Sequence, residues 1–130
     1  MLVADCRSNF VLDKDWALVF GEEQIEWLTK ELTSAAEDED IQGVVLTLSL
    51  SWKSRKDFVF EAVKEKTEIG VLIDRLGFNT KEKNKFLVML NGHMPMLAYD
   101  DGQYNVIGKF PLIHCGPLDA IPKCKWTGWN

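Results

Sequence analysis

The chain has 130 residues, of which 46% are hydrophobic and 27% charged, the balance of an ordinary folded domain and not of a disordered one. Its formal net charge is −5, and its apolar runs, such as Phe86–Leu90, are far shorter than the roughly 18 residues of a membrane-spanning helix. Asp5 and Arg7 interrupt any secretory signal, and an odd number of cysteines, three, argues against a disulfide framework. We therefore expect a cytoplasmic protein with no membrane partner.

Short strands are predicted at the start of the chain, over Leu2–Cys6 and Phe10–Leu12. A helix is predicted from Glu22, because apolar residues then recur at three- and four-residue spacing. These residues are Ile25, Leu28, Leu32 and Ala35. Gly21 precedes the first turn, where two glutamates suit the positive end of the helix dipole. The helix should end in the acidic run 37–40, whose charges face the negative end of that dipole.

The clearest strand lies in the middle of the chain, between Val44 and Trp52, where apolar residues alternate with small or polar ones. Trp52 falls on the apolar face and is predicted to enter the core. The next stretch, 57–63, leaves two alternatives open. Its alternating aromatic residues fit a strand, whereas Ser54 and Asp57 fit a capping box that would begin a helix. The β-rich composition favours the strand.

Two short helices are predicted over residues 67–92. Thr67 can cap the first, and Gly77 can end it. The apolar stripe of this first helix is Ile69, Leu72, Ile73 and Leu76. Asn79 can cap the second helix, with a glutamate three residues later as its capping-box partner, and this helix should end at Asn91-Gly92.

A β-hairpin is predicted next, with strands Met96–Asp100 and Tyr104–Gly108 on either side of Asp101-Gly102. That dipeptide tolerates the positive φ angles of a tight turn. The order of elements is then roughly β-α-β-β-α-α-β-β. This order predicts a single α+β domain over 1–130, with a mostly antiparallel sheet and about three helices.

The last stretch of the predicted domain, 111–130, contains three prolines and is expected to be an extended segment. Trp126 and Trp129 lie in it among polar residues. Large aromatic side chains of this kind either contact a partner or dock onto the surface of their own domain.

A pair of helices followed by a hairpin, as predicted over 67–109, is also the order of elements in a winged-helix nucleic-acid binder. Lys81, Lys83 and Lys85 lie near the start of the second helix, where a recognition helix meets DNA. Residues two apart on a helix are separated by about 200°, so these lysines do not share one face. The acidic residues of the predicted wing would also repel phosphates. Nucleic-acid binding is therefore an alternative interpretation, and a solvated lysine-rich surface is the ordinary one.

The histidines and cysteines form no recognisable chemical motif. Cys115 follows His114 directly and Cys124 comes well after, whereas structural zinc ligands usually lie in pairs about two to four residues apart. Neither a Walker sequence nor G-x-G-x-x-G occurs. We therefore expect no metal, no cofactor and a protein that is not an enzyme. A small-ligand binder or hydrolase is a further alternative, with a pocket near His93, Tyr99, Tyr104 and His114.

Charge is distributed unevenly along the chain. Residues 1–42 carry eleven acids against three bases, a formal charge of −8, and residues 43–130 carry twelve bases against nine acids, a formal charge of +3. The acids that should lie on the exposed side of the first helix, or just after it, surround a tryptophan. We predict as partner-binding residues Glu22, Glu23, Glu26, Trp27, Glu37, Asp38, Glu39 and Asp40.

Carboxylates around an aromatic anchor can bind a basic protein or imitate the phosphates of a nucleic acid. A glutamate-rich solvent face around a packed tryptophan is the ordinary alternative. The sequence thus favours a small acidic binding protein that inhibits a basic or nucleic-acid-processing partner, of the toxin-immunity or phage counter-defence type. The expected partner is a protein, and the expected mechanism is electrostatic and steric occlusion. The sequence favours no particular oligomeric state.

Overall fold

Strands and helices alternate along most of the chain in the computed structural model, which describes residues 1–6, 8, 11–12, 17–49, 52, 63–92, 97–103 and 108–115. The strands are β1 (Leu2–Ala4), β2 (Val11–Leu12), β3 (Ala17–Leu18), β4 (Gly43–Leu48), β5 (Phe86–Asn91), β6 (Leu97–Asp100) and β7 (Leu112–Cys115). The helices are α1 (Glu22–Glu37) and α2 (Val63–Leu76). Across these ranges, neither helix has the length and apolar character needed to cross a bilayer.

Five strands form one mixed sheet in the order β1-β4-β5-β7-β6. β1 pairs in parallel with β4, β4 with β5, and β5 with β7. β6 runs antiparallel to β7 at the edge of the sheet, and β2 and β3 form a separate antiparallel pair.

Both helices cover the same face of the five-stranded sheet. α1 connects β1 to β4 and α2 connects β4 to β5, so both crossovers step across the sheet in one direction. Right-handed crossovers in one direction place their helices on one face. Contacts of α1 with α2 and with β4 agree with this arrangement. The chain is thus a single α+β domain, with an inner sheet face under the helices and an outer face opposite.

The hydrophobic core lies between the inner face and the two helices. Alternate residues of β4 point into it, because successive side chains on a strand face opposite ways. These residues are Val44, Leu46 and Leu48, all at most 4% exposed. Leu28 and Leu32 of α1 meet them from the helix layer, and the rings of Trp52 and Phe110 pack edge to face, with centroids 5.6 Å apart.

Several predicted elements are confirmed. α1 begins at Glu22 and ends at Glu37, as the periodicity and the acidic run indicated. The stripe of the next helix is buried at Ile69, Leu72 and Ile73, and Gly77 ends that helix with a φ of 75°. The first predicted strands form as β1 and β2, and the alternating stretch from residue 44 forms most of β4.

The predicted mostly antiparallel sheet and three helices are wrong. Parallel neighbours need a long crossover, and α1 and α2 supply it after β1 and β4. α2 begins at Val63, before the predicted cap at Thr67, so Val63 is helical and not part of a strand. Residues 57–62 lie outside the described residues.

The predicted second helix after Asn79 is also wrong, because residues 77–83 form turns and residues 86–91 form β5. Asn79 has a φ of 63°, and its side chain bonds the backbone of Leu87 in place of a helix end. Asn79 Nδ2 donates to the Leu87 carbonyl and Asn79 Oδ1 accepts from the Leu87 N–H, both at 3.0 Å. The side chain thereby copies the pairing of a neighbouring strand at the start of β5.

The predicted hairpin forms only in part. Its first strand is β6, but the antiparallel partner of β6 is β7, in the segment that was expected to be extended coil. Pro111 does not prevent this, because its carbonyl accepts a bond from the Met89 N–H (2.9 Å) as β7 joins β5. Gly108 is not in a strand, and residues 104–107 and 116–130 lie outside the described residues.

Gly102 makes the turn after β6 possible. It is buried with a φ of 75°, and an added Cβ would lie 2.8 Å from the backbone nitrogen of Phe110. We expect Gly102→Ala to lower the free energy of unfolding by about 2 kcal/mol, because the strained φ and the backbone clash add. Urea unfolding measures this. At Gly92 an added Cβ would meet the Ser49 carbonyl oxygen at an ordinary 3.5 Å. An equal loss in Gly92→Ala would contradict the explanation.

Candidate acidic interface on helix α1

Helix α1 separates an apolar side from an acidic one. Leu28, Leu32, Ala35 and Ala36 are buried against the sheet and α2. The predicted partner-binding residues all lie on the exposed side or in the turn that follows the helix. We call this set the acidic face: Glu22, Glu23, Glu26, Trp27, Glu37, Asp38, Glu39 and Asp40. Trp27 is 38% exposed, so its indole is accessible beside the carboxylates.

The carboxylates of the acidic face are not neutralised within the described part of the chain. No ion pair there joins them to a lysine or an arginine. Asp38 Oδ1 accepts a bond from the N–H of Asp40 (2.9 Å), which shapes the turn and leaves both negative charges in place. Lys30 is also exposed on α1, one turn after Glu26. The acidic face therefore presents exposed carboxylates, with no ion pair to a described cation, around one aromatic side chain.

The start of α1 is held by a buried carboxylate from α2. Glu65 is 4% exposed, and its Oε2 accepts bonds from the N–H groups of Val19 (2.7 Å) and Phe20 (3.2 Å). Its Oε1 accepts from the N–H of Gly21 (2.9 Å), the N-cap residue of α1, which has no side chain of its own to cap the helix. Glu65 therefore satisfies the backbone at the helix entry and fixes the direction of the acidic face.

The end of α1 is held by a lysine from the turn region before β5. α1 has no basic residue in its last turn. Lys85 Nζ instead donates to the carbonyl of Ala35 (3.1 Å) and to that of Asp38. A cation at this position suits the negative end of the helix dipole. This contact explains how the helix tolerates the acidic run at its end.

Glu65 was not predicted as a site residue, and Lys85 was predicted only for the nucleic-acid alternative, not as a support of α1. Glu65 does carry a sequence signal, because it precedes Ile69 by one helical turn and so continues the buried stripe of α2. A carboxylate at a core position needs hydrogen-bond donors. Lys85 gives no comparable signal, because its contact with α1 joins residues far apart in the sequence.

A shallow groove of about 510 Å³ runs along the flank of α1, next to the acidic face. The described residues that line it are Ile25, Glu26, Thr29, Lys30, Thr33, Ser34 and Glu37. Its surface combines an aliphatic side chain, hydroxyl groups and charges of both signs. A partner side chain in this groove would lie beside Glu26.

The scaffold of the nucleic-acid alternative is not formed. Lys81 and Lys83 are exposed in turns and Lys85 is engaged with α1, so the three lysines do not project from a recognition helix. The first strand of the predicted wing, β6, pairs with β7, and most of the second strand, residues 104–107, lies outside the described residues.

The pocket proposed around the histidines and tyrosines is not assembled from its described members. Tyr99 pairs with Ile113 on the outer face, whereas His114 is buried on the inner face, so the two side chains lie on opposite sides of the sheet. His93 and Tyr104 lie outside the described residues. Cys6 is buried and Cys115 exposed, and within the described ranges no group of three potential metal ligands comes together.

Comparisons of this chain with protein-family models, with curated proteins and with solved structures found no match.

Proposed function

We propose that this protein binds a basic surface of a partner protein through its acidic face and thereby blocks that surface. A nucleic-acid-processing protein is the class of partner that fits best, since its binding surface must attract phosphates. An inhibitor of the toxin-immunity or phage counter-defence type would work in this way. The observation that carries the proposal is an accessible Trp27 among carboxylates that have no cationic partner within the described residues.

Only one end of the acidic face combines glutamates that can attract a basic partner with an indole that the partner can bury. Glu26 and Glu37 lie roughly 16 Å apart along the helix axis, given a rise of about 1.5 Å per residue. Salt screens charges beyond about 8 Å at physiological ionic strength, so the two ends act separately. Only the end with Glu23 and Glu26 also carries the indole. Buried tryptophans are frequent anchors of interfaces, and charges at their rim mainly raise the rate of association.

The test begins with the partner that the tagged full chain captures from its native host, purified and titrated by calorimetry. We expect Glu26→Lys to weaken binding about tenfold at low salt, because it places a like charge against a basic surface. The variant should also flatten the dependence of Kd on salt. Trp27→Ala should weaken binding about thirtyfold with the salt dependence retained, since it removes buried area and not charge.

Asp101→Lys is the matched control, because it changes the net charge by the same amount. Asp101 is exposed and follows β6, at the sheet edge opposite β1. Binding should stay close to the unmodified value in this variant. A Kd that ignores salt, or an equal loss in Glu26→Lys and Asp101→Lys, would show that the acidic face is not the contact.

A further inference from the structure

The outer face of the five-stranded sheet carries only uncharged side chains at its described positions. One register row crosses all five strands and consists of Val3, Thr47, Leu90, Ile113 and Tyr99. None of the described strand residues that point outward is charged, and none is buried. The inward-pointing residues of β4, β5 and β7 are, by contrast, all buried. The described part of the chain therefore leaves the outer face accessible.

Large side chains on the outer face are exposed to a degree that a solvent-facing sheet avoids. Leu97 is 81% exposed, Tyr99 67%, Val3 59% and Phe86 51%. A sheet face in contact with water ordinarily carries polar residues, and contiguous apolar patches on a protein usually mark a contact surface. The outer face therefore has the composition of an interface.

We infer that a second copy of this chain packs on the outer face, so that the two sheets stack face to face in a symmetric dimer. The absence of charge on the described outer positions favours this partner. Such a surface offers no counter-charge to a basic protein, to a nucleic acid or to the charged headgroups of a membrane, and burying their charges against it would be costly. A second copy brings the same uncharged side chains, so neither partner has a charge to bury there.

Face-to-face packing also keeps the negative charges of the two copies apart. Each copy has a net charge of −5, and its acidic face lies on the helix layer. Two sheets about 10 Å apart, each with a helix about 10 Å wide on its far side, separate the acidic faces by about 30 Å. Salt screens charges beyond about 8 Å at physiological ionic strength. Repulsion between the copies is therefore weak, and both acidic faces stay accessible. The inference does not depend on the proposed function.

The area of the outer face is sufficient for a reversible dimer. Five strands at a spacing of about 4.8 Å cover a width of about 24 Å. The outward residues from Phe86 on β5 to Cys115 on β7 extend over about 20 Å along the strands, at about 3.3 Å per residue. Two such faces together bury roughly 1,000 Å², which is at the lower end of the range for biological interfaces. We therefore expect a dissociation constant in the micromolar range and not a permanent dimer.

Sedimentation of the full-length chain tests the inference. Between about 1 and 200 µM, a range that covers micromolar dissociation constants, the average mass should rise from that of one chain towards that of two. We expect Tyr99→Lys to raise the dissociation constant of the dimer at least tenfold. The two-fold symmetry places two added charges in one apolar interface, where neither has a counter-charge.

Val71→Lys is the matched control, because it adds the same charge at a side chain that is 48% exposed on α2, in the helix layer. Its dimer should dissociate as the unmodified one does. If Tyr99→Lys does not fold, as judged by circular dichroism, Leu97→Lys takes its place. A chain that stays monomeric throughout the range would overturn the inference, as would equal effects of Tyr99→Lys and Val71→Lys. A monomer that binds phosphatidylcholine vesicles, and loses this binding in Tyr99→Lys, would show that a membrane covers the outer face and would also overturn it.

Discussion

Replacing Glu65 by alanine should destabilise this protein more than any other single change to a polar side chain discussed above. The substitution leaves the N–H groups of Val19, Phe20 and Gly21 without their acceptor in a buried site. Each unsatisfied buried donor costs about 1 to 3 kcal/mol, so the free energy of unfolding should fall by roughly 3 kcal/mol or more. Urea unfolding, followed by circular dichroism, measures the loss.

Glu65→Gln separates the acceptor from the charge. The amide keeps one oxygen acceptor but turns an NH₂ group towards backbone donors. The free energy of unfolding of Glu65→Gln should therefore lie between those of the native protein and Glu65→Ala. Glu23→Ala is the control at the same end of α1, because Glu23 is exposed and interacts there mainly with the helix dipole. That interaction contributes about 0.3 to 1 kcal/mol. Similar losses in Glu23→Ala and Glu65→Ala would refute the capping role.

Phe110→Ala should cost about 3 to 5 kcal/mol, the usual range for a buried phenylalanine. The Phe110 side chain is 1% exposed, and its ring packs edge to face on Trp52. It also lies so close to Gly108 that a Cβ there would come within 2.7 Å of it. Removing the ring would leave a cavity, and the Trp52 indole on one side of it would lose its packing contacts.

The chain offers a matched substitution of the same type. Phe86→Ala removes an identical ring, but Phe86 is 51% exposed on the outer face, so its loss should be well below that of Phe110→Ala. The urea concentrations at the unfolding midpoints compare the stabilities of the two variants, because the free energy of unfolding should fall with urea at the same slope in both. If the two variants lost the same stability, the ring of Phe110 would not be the core element described above.

The sequence predictions were accurate for elements that are decided by contacts between residues close in the sequence, and wrong for elements decided by distant contacts. α1 could be predicted to the residue at its start, because an amphipathic stripe, two first-turn glutamates and an acidic stop all act within the helix. β5 could not, because its apolar run fits a helix and a strand equally well over a few residues. The apparent capping box at Asn79 added a false local signal. The Asn79 side chain bonds instead to the backbone of Leu87, which only the turn between the two residues brings close.

The composition of the acidic face could likewise be predicted, whereas its support could not. Exposure of the glutamates follows from the helical period of α1. The hydrogen bonds of Glu65 to residues 19–21 and of Lys85 to the end of α1 join residues that are 44 to 50 positions apart. No spacing rule covers such distances, because they depend on how α2 and the turn before β5 pack against α1.

The sequence alone determined that this protein is a single α+β domain whose first helix carries a tryptophan among exposed acidic residues. Charge and amphipathic period are local properties of the chain, so the sequence is enough to assign them. Tertiary structure alone decided that the sheet is largely parallel and that β7 inserts between β5 and β6. It also decided that both helices cover one face and leave an uncharged face opposite. Strand order is set by which surfaces can be buried together, and that choice depends on every element at once.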